Sequence, residues 1–180
     1  FETEQLLHWW LGDFPEHTAT FLRIILIVSI VDGMANPLVQ AALSYGKIRT
    51  YQIAVGITLL ASLPTSWLAL KAGANSEMVF MILLAFTVIA FVVRLVIVKP
   101  MINLSIRKYM KEVILPVTGV TILSAIPPAL AYIYINQPIL RFFIVCVLAT
   151  VSVCVFSFLL STNQHEKSLI IQKIKSCLLK

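Results

Sequence analysis

The sequence predicts an all-α fold, a polytopic membrane helical bundle of about five transmembrane helices. With 59% hydrophobic and 12% charged residues and a mean hydropathy of +0.94, the 180-residue chain has more apolar surface than a soluble domain of its size can bury. Five of its apolar runs are each long enough to cross a hydrocarbon core. A core about 30 Å thick takes roughly 20 residues of helix. Lys and Arg also collect in alternate connections between the runs. The other spanning architecture, a closed β-barrel, needs strands that alternate between polar and apolar faces. The runs here are continuous, which argues for helices.

In chain order, residues 1–17 (FETEQLLHWWLGDFPEH) are acidic and carry Trp9 and Trp10 beside Leu6, Leu7 and Leu11. They read as an external interfacial segment with the indoles at headgroup level. The membrane bundle is expected over residues 18–161, with its first span at about 19–45. VDGMANP puts Asp32, Gly33, Asn36 and Pro37 in the middle of that span, and a bend is expected because Pro37 lacks a backbone donor and crowds the preceding turn. The basic connection GKIRT leads to a second span, about 51–72, which carries Pro64. AGANSE forms a turn, and the third span, about 78–98, contains Arg94. Residues 99–112 mix Leu104, Ile106, Tyr109 and Met110 with Arg107, Lys108 and Lys111, as expected of a short interfacial helix. The fourth span, about 113–135, holds Pro116, Pro127 and Pro128 and is expected to pack inside a bundle. The fifth, about 139–160, leads into a basic amphipathic tail, 162–180, in which Ile170, Ile174 and Leu178 recur at helical spacing. The start at Phe1, with neither an initiator Met nor a signal-type segment, reads as a piece of a longer protein.

The basic residues predict an orientation. Lys47, Arg49, Lys99, Arg107, Lys108, Lys111, Lys167, Lys173, Lys175 and Lys180 share one side of the five-span arrangement, while Arg23, Lys71 and Arg141 fall near span ends on the other. The positive-inside rule then puts the C-terminus in the cytoplasm and residue 1 outside. A formal charge of +6 placed beside apolar spans points to anionic membrane lipids as partners rather than to nucleic acid. Cys146, Cys154 and Cys177 have neither metal-ligand nor disulfide spacing and read as small apolar residues.

Polar residues within the spans are the candidates for chemistry. An acid near mid-span costs at least about 2.5 kcal/mol on insertion scales, so Asp32 reads as a proton or cation coupling site, with H+ or Na+ as the ion. Its structural alternative is to stay neutral, or to pair with Asn36 one turn away and stabilise the break. Asp32, Asn36 and Gln40 lie four residues apart and form one polar stripe, for a hydrophilic path or for helix packing. Arg94 has the geometry to hold a phosphate or sugar oxyanion through two parallel hydrogen bonds. Its position five residues before Lys99 favours snorkelling to the cytoplasmic headgroups, and its depth places it apart from Asp32. Thr58, Ser62, Thr65 and Ser66 read as helix-packing hydroxyls.

No enzyme constellation emerges. His8, His17 and His165 lie outside the spans and far apart in sequence, and no carboxylate pair or Gly-rich phosphate loop is present. No cofactor or metal is indicated.

At WWLGDFPEHTATFLRI, NPLVQAALSYGKIRTYQIAVG and KYMKEVILP, and over essentially its whole length, the chain resembles the C-terminal part of bacterial polysaccharide flippases. These are the O-antigen and exopolysaccharide transporters of the MATE-like multidrug/oligosaccharidyl-lipid/polysaccharide superfamily. The resemblance implies part of a two-bundle transporter in the inner membrane that works by alternating access. It implies an oligosaccharide on an undecaprenyl pyrophosphate carrier as substrate, and as partner an N-terminal bundle of the same protein that these residues lack. Three alternatives belong to other readings of the same residues: cation-coupled multidrug efflux within the superfamily, part of an integral-membrane glycosyltransferase or ligase, and a membrane anchor.

Overall fold

The structure, a computed structural model, describes residues 2–46, 48–135 and 137–161. The expected amphipathic helix of the tail, with Cys177 and His165, lies outside the described residues. All regular structure among the described residues is helical, and five helical stretches are long and apolar enough to cross a membrane. They run over Thr18–Tyr45, Ile48–Lys71, Ser76–Met101, Ile106–Tyr134 and Pro138–Leu160. The chain is a membrane protein with an all-α polytopic architecture, and it divides into two compact units.

The first unit, Thr3–Met110, contains α1 (Thr3–Leu11), α2 (Thr18–Tyr45), α3 (Ile48–Leu60), α4 (Ser62–Lys71), α5 (Ser76–Met101) and α6 (Ile106–Tyr109). Its hub is α5, which packs against α2, α3 and α4. Buried side chains, several of them small, line the close α2–α5 packing: α2 buries Ala35, Ala42 and the larger Leu38, and α5 buries Thr87, Ala90 and the larger Val98. In a membrane, where lipid is as apolar as the helix surface, such close backbone approach is a main source of helix association.

Prolines shape both units, and side-chain hydroxyls bond carbonyls in the turns around them. The second span is not one helix, because it breaks at Ala61, three residues before Pro64. Pro64 has no N–H for the Leu60 carbonyl, and the turn is held instead by hydroxyls. Ser62 donates to the Leu59 carbonyl at 2.6 Å, and Thr65 donates to the carbonyls of Ala61 and Ser62 at 2.9 Å each. Thr58 likewise donates to the Ala54 carbonyl at 2.8 Å. These hydroxyls, expected to pack between helices, instead turn back onto their own.

In α2 the helix runs unbroken through Pro37. Pro37 cannot donate to the Gly33 carbonyl, and its ring crowds the turn that contains Met34. The Met34 carbonyl accepts the Tyr109 hydroxyl at 2.6 Å. The third span continues through Pro100 to Met101, and from Ile106 the chain is already helical, passing through a π-helical stretch, Met110–Ile114, into the next long helix. Tyr109 is 5% exposed, buried with its hydroxyl on α2. A tyrosine hydroxyl that reaches a carbonyl in a proline-crowded turn gains by burial. Tyr109→Phe is expected to lower stability by about 1 kcal/mol. A denaturing detergent titration checks this, and an unchanged midpoint would show that the hydroxyl is dispensable.

The second unit, Lys111–Lys180 with Phe1–Glu2, has α7 (Leu115–Tyr134) and α8 (Pro138–Phe156) as its described helices, followed by a π-helical stretch, Ser157–Ser161. α7 packs on α8 and on that stretch, burying Ser124, Pro128 and Ala131 against a face that includes Val145 and Ser152. Arg141 holds Glu2 through two bonds, Nε to Oε1 at 2.5 Å and Nη2 to Oε2 at 3.3 Å. Its guanidinium also lies over the Tyr132 ring, 4.5 Å from the centroid. A fork of parallel donors on a carboxylate, backed by an aromatic face, is a geometry lysine cannot reproduce.

Candidate functional site

Asp32, Asn36 and Gln40 occupy one exposed stripe of α2, as their spacing predicts, with Asp32 three residues from the buried Ala35, at the edge of the packed face of Ala35, Leu38 and Ala42. The structure adds Arg94 to this stripe. Arg94 Nη1 donates to Asp32 Oδ1 at 2.9 Å, tying α5 to α2. The expected separation of these two residues is therefore corrected, and so is the expected snorkelling of Arg94 toward the headgroups.

The physical reason is the direction in which helical side chains lean. Arg94 lies about 10 Å of helix rise before the end of α5, and Asp32 about 20 Å before the end of α2. Compared by backbone depth alone, they sit on different levels. Side chains in a helix tilt toward its N-terminus, so a long one covers the turn before its own Cα. The arginine head thus moves deeper into the span, toward Asp32, and away from the Lys99 end.

Arg94 shares the α5 stripe of Thr87, Ala90 and Val98, at spacings of three and four residues. Its side chain is 12% exposed, whereas that of Asp32 is 51% exposed. A further polar group is buried on α3, which also packs against α5: Tyr51, 7% exposed. Neither Arg94 Nε nor the Tyr51 hydroxyl has a hydrogen-bond partner among the described residues. The sequence gives no sign of this burial for Tyr51, which reads there only as the start of a span.

Chemically, these residues supply one charge pair and two further buried donors, Arg94 Nε and the Tyr51 hydroxyl. A guanidinium has five N–H groups, so one bonded to a carboxylate retains donors for an oxyanion. The side chains of Asn36 and Gln40 extend the hydrogen-bonding surface along α2. Two other cations near span ends are engaged elsewhere. Arg23 Nη2 donates to Glu4 Oε1 at 2.9 Å, and Lys71 Nζ lies over the Trp67 ring at 5.1 Å. Among the described residues no group of three or more His, Cys, Asp or Glu side chains is arranged to hold a metal ion.

Comparison with protein-family models, curated proteins and solved structures finds no match to this chain.

Proposed function

We propose that this chain is the C-terminal part of a polysaccharide flippase, moving a lipid-linked oligosaccharide across a bacterial inner membrane by alternating access. In this reading the C-terminus is cytoplasmic and residue 1 is external. The observation that carries the proposal is the Asp32–Arg94 pair on the exposed polar stripe of α2. A pyrophosphate with its sugars cannot enter hydrocarbon unaided, so a transporter must supply hydrogen bonds and positive charge within the span. Arg94 supplies both. Asp32 neutralises it when substrate is absent, and the phosphate oxygens compete with Asp32 for the same donors. The resemblance at NPLVQAALSYGKIRTYQIAVG gives the substrate class, and that motif includes Asn36, Gln40 and Tyr51.

The pairing also bears on cation-coupled efflux, the principal alternative. A carboxylate that captures cationic drugs must face its ligand without a fixed counter-ion, and Asp32 already has one at 2.9 Å.

The test is deletion of the full-length gene, followed by assay of the leaflet in which lipid-linked glycan accumulates and of drug sensitivity. The proposal expects accumulation in the cytoplasmic leaflet with unchanged drug sensitivity. An unchanged glycan distribution with new drug sensitivity would sink it in favour of efflux.

A further inference from the structure

The segment before α2 folds around a cleft of about 560 Å³. Its walls are Glu4, Gln5, His8 and Trp9 on α1 and Phe14 and Glu16 from the turn that follows. The local sequence builds it. Glu4 and His8, and likewise Gln5 and Trp9, are four residues apart and share a face, while Thr3 and Leu7 are buried. Gly12, at φ +72°, ends α1 in a left-handed conformation and turns the chain back, so that Phe14 and Glu16 oppose that face. The Glu4 carboxylate is fixed by Arg23 at 2.9 Å.

The volume falls in the range of small-molecule sites, about 300–1,000 Å³. The lining combines two aromatic side chains with two carboxylates, an amide and an imidazole. Rings of this kind stack on the C–H face of a pyranose, while the polar groups both donate to and accept from its hydroxyls. A phosphate is disfavoured by Glu16 and by the acceptor oxygens of Glu4. A simple cation would use only carboxylates and rings, and Arg23 already balances Glu4. Gln5 and His8 add donors that a cation has no use for.

We propose that this cleft binds an uncharged saccharide. That the saccharide is the glycan of a lipid-linked substrate, met on the external side, rests on the flippase reading. The affinity for saccharide itself does not.

The test uses the full chain in lipid nanodiscs with Trp10→Phe and Trp67→Phe, leaving Trp9 as the only tryptophan. Chitotriose, choline chloride and inorganic phosphate are titrated separately, and a further arm uses discs containing a neutral glycolipid. Trp9 emission is expected to change saturably with chitotriose or with the glycolipid, and not with choline or phosphate. A response confined to the glycolipid discs assigns the site to lipid-borne sugar, and a response to chitotriose assigns it to sugar as such. Glu16→Ala is expected to weaken the response at least fivefold, and Glu16→Gln to weaken it less, because the amide still bonds hydroxyls. Silence in both saccharide arms, a stronger response to choline, or an unaltered response in Glu16→Ala with an unchanged melting temperature would overturn the proposal. Saccharide binding together with an unchanged glycan distribution in the deletion strain would remove the transport reading and leave this site standing.

Discussion

Arg94→Leu is expected to reduce glycan translocation more than tenfold while lowering protein stability only modestly, and Asp32→Ala is expected to do the reverse. The two halves of the pair differ in burial, with 12% of the Arg94 side chain exposed against 51% for Asp32. Removing Asp32 leaves a guanidinium unpaired inside the span, which costs about 2.5–3.5 kcal/mol on insertion scales. Removing Arg94 leaves a half-exposed carboxylate beside Asn36 and Gln40, where polar neighbours and water relieve it. In the proposed function translocation depends on hydrogen-bond donors, and of these two residues only Arg94 has them. Folded protein measured by denaturing detergent titration and translocation measured by leaflet assay should therefore rank the two variants in opposite orders. The same ranking in both assays would mean that the pair does no more than join α2 to α5.

The second large effect is expected in the other unit, at Ser152. Pro128 has no N–H, so the Ser124 carbonyl four residues earlier lacks its intrahelical partner. The Ser152 hydroxyl on α8 fills that role, donating to the Ser124 carbonyl at 2.9 Å, and both serines are buried. A buried carbonyl left without a donor costs about 1–3 kcal/mol, and in a membrane no water reaches it to compensate. Ser152→Ala should destabilise the protein by about that amount. The same substitution in a Pro128→Ala background should cost much less, since an alanine in place of the proline restores the backbone donor. This coupling, read as a double-mutant cycle in detergent titrations, distinguishes the account from simple loss of packing. Equal costs in both backgrounds would contradict it.

The positions of the spans were legible because a membrane imposes one strong condition, a continuous apolar run of sufficient length. The polar stripe of Asp32, Asn36 and Gln40 was legible for a similar reason, since helical periodicity alone determines it. Partnerships across helices were not. Depth along the backbone separates Asp32 from Arg94, but that comparison ignores the tilt of long side chains toward the helix N-terminus. A better signal was present: both residues continue stripes of buried, close-packing side chains, Ala35, Leu38 and Ala42 on one helix and Thr87, Ala90 and Val98 on the other. Tyr109 was obscured by its basic neighbours, and Tyr109 and Ser152 both lie far in sequence from the carbonyls they bond. Prolines in the sequence mark which carbonyls need partners, but only the fold says whether Tyr109, Ser152 or a local hydroxyl answers.

The central claim is that Arg94 works on substrate and that Asp32 is its resting counter-ion. It is tested most directly by the leaflet distribution of lipid-linked glycan in cells whose only copy of the full-length protein carries both Asp32→Asn and Arg94→Leu. Removing both charges together leaves no unpaired ion, so the protein should reach wild-type levels. The account predicts that glycan nonetheless accumulates in the cytoplasmic leaflet, as in the deletion strain. Normal distribution at normal protein level would contradict it and reduce the pair to a structural tie.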